Sequence, residues 1–325
     1  MQESKVKNAL KRFFALDASA VIVAMIVLIV IISVLAPMIT GGTFLTSTNI
    51  MNIFRKQTYI GIIACGMTLV MITGNIDLSV GNMMTLLTVI CALLTKSVGP
   101  VGAILLTLLI GAACGGLNGL LVGPLKLNAF ITTLGTTSIF YALALIISSG
   151  FTQRADSKLF DVIGSGSLWI FPVPVVIMAV IVAIFWFLLK RTVYGQQLYA
   201  IGANQTAAKF SGIRDRICIM VAYILTGLCS ALAAIVMIAR STSANPQAAS
   251  GTEMDVILAV VVGGTSIAGG KGTMFGTVLG FLFIGFMTTG FTFLGMNEYV
   301  QSIVTGVILV VALSFDVIKA RRNKL

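Results

Sequence analysis

The chain has 325 residues, 58% hydrophobic and only 10% charged, with a mean hydropathy of +1.07; soluble domains average about 45–50% apolar and about 25% charged, so a water-soluble globular protein is excluded. The net charge of +11 would suggest nucleic acid in a soluble protein. Here apolar runs of about 18 or more residues recur, enough to cross a hydrocarbon core of about 30 Å, and the cationic excess belongs to cytoplasm-facing loops, with no nucleic-acid role.

Residues 1–17 form a short basic arm, and 18–39 the first span. Its apolar run is too long for a signal peptide and no A-x-A site follows, so it reads as an uncleaved anchor. Residues 40–57 are polar and interfacial, and 58–73 form a short second span. The break Gly74-Asn-Ile-Asp-Leu-Ser-Val-Gly81 follows. Residues 80–95, 101–122 and 128–149 are the third to fifth spans, 150–167 a polar loop and 168–189 the sixth span. A polar, basic loop at 190–216, with five Lys or Arg and one acid, Asp215, divides the chain in two. Residues 217–239, 254–267, 274–294 and 299–318 complete ten spans, and 319–325 is a basic tail. The expected fold is one all-α integral membrane domain over 1–325 with about ten transmembrane helices.

With both ends in the cytoplasm, fifteen Lys and Arg fall on the inner side and six on the outer. The reverse orientation breaks the positive-inside rule. Each half, about 58–150 and 217–318, carries a short apolar segment running into a glycine-rich break, Gly74–Gly81 in the first and Gly263–Gly272 in the second. Numbered as the second and seventh spans, these segments lie an odd number apart and would cross in opposite senses. That predicts two inverted repeat halves, a pointer to a transport pathway.

Within the first break, Asp77 is the most informative residue. A carboxylate at membrane depth costs roughly 2.5–3.5 kcal/mol on insertion scales and needs donors that an opened backbone can supply. Two compatible readings stand: Asp77 caps the third span, or it contacts a solute together with Asn75, Ser79 and Asn82. The second break ends Gly269-Gly-Lys-Gly-Thr, which fails the phosphate-loop pattern G-x-x-x-x-G-K-[ST]. No such motif occurs elsewhere in the chain, so ATP, if used, is bound by a separate subunit. Gly111, Gly115, Gly119 and Gly123 make a smooth helix face for close packing, and Gly276 and Gly280 do the same in the ninth span. The five cysteines have no ligand spacing and the chain has no histidine, so no metal site, resident cofactor or catalytic residue is expected.

In the central loop, residues 202–212 read as a short helix. Asn204 is its N-cap, Ala207, Ala208 and Lys209 favour helix, and Gly212 suits a left-handed stop. Ala207, Ala208 and Phe210 form a knob that could enter a partner's groove; the alternative is a helix lying flat on lipid headgroups.

Three stretches carry a resemblance: Gly66-Met-Thr-Leu-Val through Gly81, Tyr199-Ala-Ile-Gly-Ala-Asn-Gln-Thr-Ala-Ala-Lys-Phe-Ser-Gly-Ile213, and Val261-Val-Gly-Gly-Thr-Ser-Ile-Ala-Gly-Gly-Lys-Gly-Thr273. The chain resembles, over nearly its whole length, the permeases of ribose-type ABC importers, in the wider family that includes branched-chain amino acid permeases. The resemblance implies a bacterial inner-membrane permease for a monosaccharide or similar polyol. It also implies a second permease copy or paralogue, two cytoplasmic ATP-binding subunits and a periplasmic solute-binding protein. It makes Gly202–Gly212 the coupling helix seated in the ATPase. One departure is Ala203-Asn-Gln-Thr, where relatives often have Gly-Asn-Glu or Gly-Asn-Pro. The residues alone leave two other classes open: an ion-coupled secondary transporter with Asp77 as the ion site, and a channel-like facilitator.

Overall fold

The computed structural model describes residues 19–247 and 251–322; the basic arm and residues 323–325 lie outside the described residues. The described chain is helical, with twelve helices and four two-residue strands. The helices are α1 (Ser19–Thr40), α2 (Ser47–Ile72), α3 (Val80–Val122), α4 (Ala129–Ser148), α5 (Lys158–Ser165), α6 (Val173–Arg191), α7 (Val193–Ala203), α8 (Gln205–Phe210), α9 (Asp215–Ser241), α10 (Thr252–Val262), α11 (Met274–Phe293) and α12 (Glu298–Arg322). Six of them, α1, α3, α4, α6, α9 and α11, are long and apolar enough to cross a membrane.

α3 is 43 residues long, yet Gly99 takes φ 77°, ψ 168° and Pro100 follows without an N–H, so two helical segments meet there. They correspond to the expected spans 80–95 and 101–122. α2 begins well before the expected residue 58. Thr46 caps it by accepting from the Asn49 N–H at 3.2 Å. Residues 47–57 of the stretch expected to lie at the interface are therefore the polar first part of α2. The expected loop at 150–167 is also structured. Its β1 (Gln153–Arg154) pairs antiparallel with β4 (Ser243–Ala244), and β2 (Ser167–Leu168) pairs with β3 (Phe171–Pro172). Between them, α5 buries Phe160 against the middle of α3, on either side of Gly99, and the end of α9. Pairing satisfies backbone groups that a bare loop against the bundle would leave unmet.

The burial pattern is that of a bundle bathed in lipid. Every residue of α2 from Ile60 to Ile72 is buried, as is α3 from Val80 to Val89. α1, the second part of α3, α4, α6 and α12 instead present exposed Leu, Ile, Val and Phe. The second part of α3 lies antiparallel to α9. A Cβ at Gly111 would strike Ala231, and one at Gly123 would strike the Arg216 carbonyl. The glycine face packs as expected, helix on helix. Gly276 and Gly280 abut the backbone of α10 at Gly263 and Ala259.

α2 and α10 run parallel. Tyr59, halfway along α2, lies within electrostatic reach of Asp255 in the first turn of α10, and beyond the end of α10 the Gly270 N–H of the second break donates to the carbonyl of Ile72, the last residue of α2, at 2.8 Å. α10 is the eighth apolar segment rather than the seventh, and an even offset from α2 preserves direction. The two break-bearing helices are therefore not an inverted pair.

Candidate functional site

Both breaks leave their helices by the same backbone device. After α2, Gly74 takes φ +80°; its N–H donates to the Met71 carbonyl at 2.9 Å and the Asn75 N–H to the Val70 carbonyl at 3.3 Å. After α10, Gly264 takes φ +90°; its N–H donates to Val261 at 2.8 Å and the Thr265 N–H to Val260 at 3.1 Å. This paired bonding is the Schellman stop, which needs a left-handed residue and so favours glycine.

Beyond Gly74 the first break is held by side chains. Asp77 is fully buried, and its Oδ1 accepts from the Ser79 N–H at 2.9 Å and the Ser79 Oγ at 2.6 Å. Ser79, not Asp77, occupies the N-cap position of α3, and Asp77 folds the turn that delivers it. Asn118, from the second part of α3, donates to Ser79 Oγ at 2.8 Å. Tyr223 of α9 donates to the Ile76 carbonyl at 2.9 Å. Thr133 and Thr137 of α4 bracket Leu78, one accepting from its N–H at 3.1 Å and the other donating to its carbonyl at 3.0 Å. Asn82 donates to Thr137 Oγ1 at 3.3 Å, and the half-buried Asn75 donates to Thr73 Oγ1 at 2.9 Å. Asp77 Oδ2, Asn82 Oδ1 and Asn118 Oδ1 are buried acceptors with no donor.

Of the four expected residues, Asp77 and Ser79 bond each other, while Asn75 bonds Thr73 and Asn82, in the first turn of α3, bonds Thr137. Asn118, Tyr223, Thr133 and Thr137 were not foreseen. A single asparagine amid the glycines of an apolar span was a signal for Asn118, since an amide there needs a partner. Tyr223 and the α4 threonines look like ordinary span residues.

The second break is held by backbone. A Cβ on Gly269 would lie 2.8 Å from the Gly74 nitrogen and 3.1 Å from the Gly202 Cα. One on Gly202 would strike the Ile72 carbonyl and the Gly270 nitrogen. Three chain segments, the end of α2, the second break and the end of α7, therefore cross at one glycine-only junction. Tyr199 of α7 adds a bond from its hydroxyl to the Gly272 carbonyl at 2.7 Å. Burial pushes the Tyr199 phenol above its ordinary range, so it remains a donor.

α7 leads straight into α8. Asn204 caps α8 by accepting from the Ala207 N–H at 3.0 Å, and Gly212, at φ +82°, ends it with the same Schellman bonds. Gln205 donates to Asp215 of α9 at 3.0 Å. Of the expected knob, Ala207 is exposed and Phe210 is 88% exposed, but Ala208 is turned inward at 4%. Gly202 faces the junction rather than outward. The outward face of α8 is therefore Thr206, Ala207, Lys209 and Phe210.

Residues 49–313 match the family model described as branched-chain amino acid transport system / permease component. The ribose import permease protein RbsC of Escherichia coli K12 is 38% identical over 302 residues, covering 91% of this chain and 92% of the relative. Its Bacillus subtilis counterpart is 40% identical over 294 residues, covering 89% of each. The fructose import permease protein FrcC of Rhizobium meliloti is 33% identical over 316 residues, covering 93% and 86%. No solved structure matches the chain.

Proposed function

The chain belongs to the branched-chain amino acid transport system permease component family, and from that footing we propose that it forms the translocation path of an ATP-driven importer for a monosaccharide or similar polyol. It is a multi-pass inner-membrane subunit that performs no covalent chemistry. In the proposed assembly a second permease, identical or paralogous, completes the path. Two cytoplasmic subunits hydrolyse ATP and a periplasmic binding protein delivers the solute. Ten spans and two cytoplasmic ends fit the charge distribution; the ten are the six long helices, with α3 counted twice at its Gly99 break, plus α2, α10 and α12.

The observation that carries this reading is the glycine junction. α8 presents Phe210 outward, α7 connects it to Gly202, and Gly202 lies on the Ile72 carbonyl and on Gly270. Movement of an ATPase that grips α8 reaches the end of α2 and the second break in one step, through backbone contacts at Gly202. Packed backbones of this kind shift between discrete arrangements rather than deform. Within the first break, the donorless oxygens of Asp77, Asn82 and Asn118 offer acceptors to a hydroxyl-rich solute once the break opens.

Reconstitution tests the proposal. Uptake of a radiolabelled monosaccharide into vesicles is expected only with the ATPase, ATP and the binding protein together. Uptake by this chain alone, driven by a proton or sodium gradient, would falsify it in favour of an ion-coupled carrier. Counterflow without ATP would indicate a facilitator instead.

A further inference from the structure

At the end of the bundle away from the glycine junction lies a cavity of about 530 Å³. Asn49, Asn52, Arg55 and Lys56 from the start of α2, Arg240 from the end of α9 and Thr292 from α11 contribute to its lining. Arg55 is 17 residues before Ile72, about 25 Å along the helix. Three of the six Lys and Arg assigned to the outer side thus converge on one concavity. Arg240 Nη1 donates to the Arg55 carbonyl at 2.7 Å, and the two guanidinium groups lie within electrostatic reach of each other.

Held together, such charges repel unless something negative joins them. Among the described residues no carboxylate lines the cavity and none of the three cations has an ion pair. Asp255 acts on the neighbouring Tyr59 but is not part of the lining. Arg55 is half-buried and its Nε is enclosed without an acceptor. Guanidinium groups match carboxylate and phosphate in geometry, whereas a neutral sugar supplies no charge to offset three cations.

Resting on the importer reading, we infer that this cavity binds an oxyanion carried by the solute itself, so that the cargo is a sugar acid or a sugar phosphate. The volume falls in the usual range of about 300–1,000 Å³ for small-molecule sites. The Asn52 amide stands beside the cations, where the polyol part of such a molecule would need it, while the Asn49 amide donates to the Phe44 carbonyl and the Thr292 hydroxyl to the Thr288 carbonyl, each at 2.9 Å.

The test is calorimetric titration of the permease–ATPase complex in phosphatidylcholine nanodiscs with D-ribose 5-phosphate, D-gluconate and D-ribose. The two anions are expected to bind at least about tenfold more tightly than ribose, the preference weakening with salt. Lys56→Gln, an exposed position, and Arg240→Gln should each remove about tenfold of anion affinity, and Arg240→Lys should restore part of it. Equal binding of all three sugars, or anion binding indifferent to both substitutions, overturns the inference. So does a loss of affinity when phosphatidylglycerol is added to the discs, which assigns the cavity to a lipid headgroup. Substitutions that abolish binding-protein docking without any anion binding assign it to that protein. A complex that performs ATP-driven uptake with no anion preference loses this inference and keeps the importer reading.

Discussion

The first and second breaks leave α2 and α10 through matching Schellman stops at Gly74 and Gly264, and from there they diverge. The first is fixed by a buried carboxylate and its hydroxyl and amide neighbours, all within the span-forming part of the chain. The second has no acid between Gly263 and Thr273 and is fixed by contact with backbone from α2 and α7. Side-chain networks tolerate small rearrangements by swapping partners; backbone-on-backbone contacts admit nothing larger than hydrogen. The second break is thus suited to pass motion, and the first to keep its shape while presenting polar groups.

The sharpest test of this division is Gly202→Ala. Its methyl group would occupy the Ile72 carbonyl position, so main chain must move. Overpacking costs typically about 1–3 kcal/mol and occasionally more, and this substitution should exceed that range. Thermal unfolding of the detergent-solubilised protein should fall sharply and ATP-driven uptake should vanish. Gly264→Ala is the control: nothing lies within 4 Å, and only its φ of +90° is strained, so about 1–2 kcal/mol is expected. If the two variants were equally stable, the junction would not be a tight contact.

Next in size is the carboxylate. Asp77→Ala leaves the Ser79 N–H and hydroxyl without their buried acceptor, a loss of about 1–3 kcal/mol per group. Asp77→Asn keeps an oxygen in the same place and should retain most stability. If Asp77 only shapes the turn, uptake and stability recover together in the amide variant. If it also accepts from the solute, uptake stays low in a protein that folds normally. Paired unfolding and uptake curves separate the outcomes.

Much of this arrangement could be read along the chain. The spans follow from apolar run length, the glycine face of α3 from its four-residue repeat, and α8 from Asn204 and Gly212 at its ends. These signals are local: spacing, capping and left-handed stops act within a few residues. What the sequence hid is distant. Asn118 reaches Ser79 across 39 residues and Tyr223 reaches Ile76 across 147. Gly202 reads only as the start of the short helix 202–212, because nothing nearby reveals that the end of α2 lies against it. The inward turn of Ala208 is hidden for the same reason, since its neighbours belong to other elements.

For the docking face, Phe210→Ala offers a cleaner probe than any change at Ala208. Phe210 touches little of its own chain, and exposed substitutions usually stay within about 0.5 kcal/mol. The variant should unfold like the parent but fail to raise the hydrolysis rate of the partner ATPase. Full stimulation would remove α8 from the docking surface.

The smallest effect expected is at Tyr199. Tyr199→Phe deletes only the hydroxyl bond to Gly272, worth about 1 kcal/mol, and leaves the ring packing intact. Stability should drop by about that amount. The informative quantity is the ratio of solute moved to ATP spent. If the backbone junction alone transmits motion, the ratio is unchanged. If the tyrosine keeps α7 and the second break moving as one body, ATP hydrolysis continues while uptake falls. The second result would mean that the glycine contact pushes but does not pull, because touching backbones resist approach and need a hydrogen bond to resist separation.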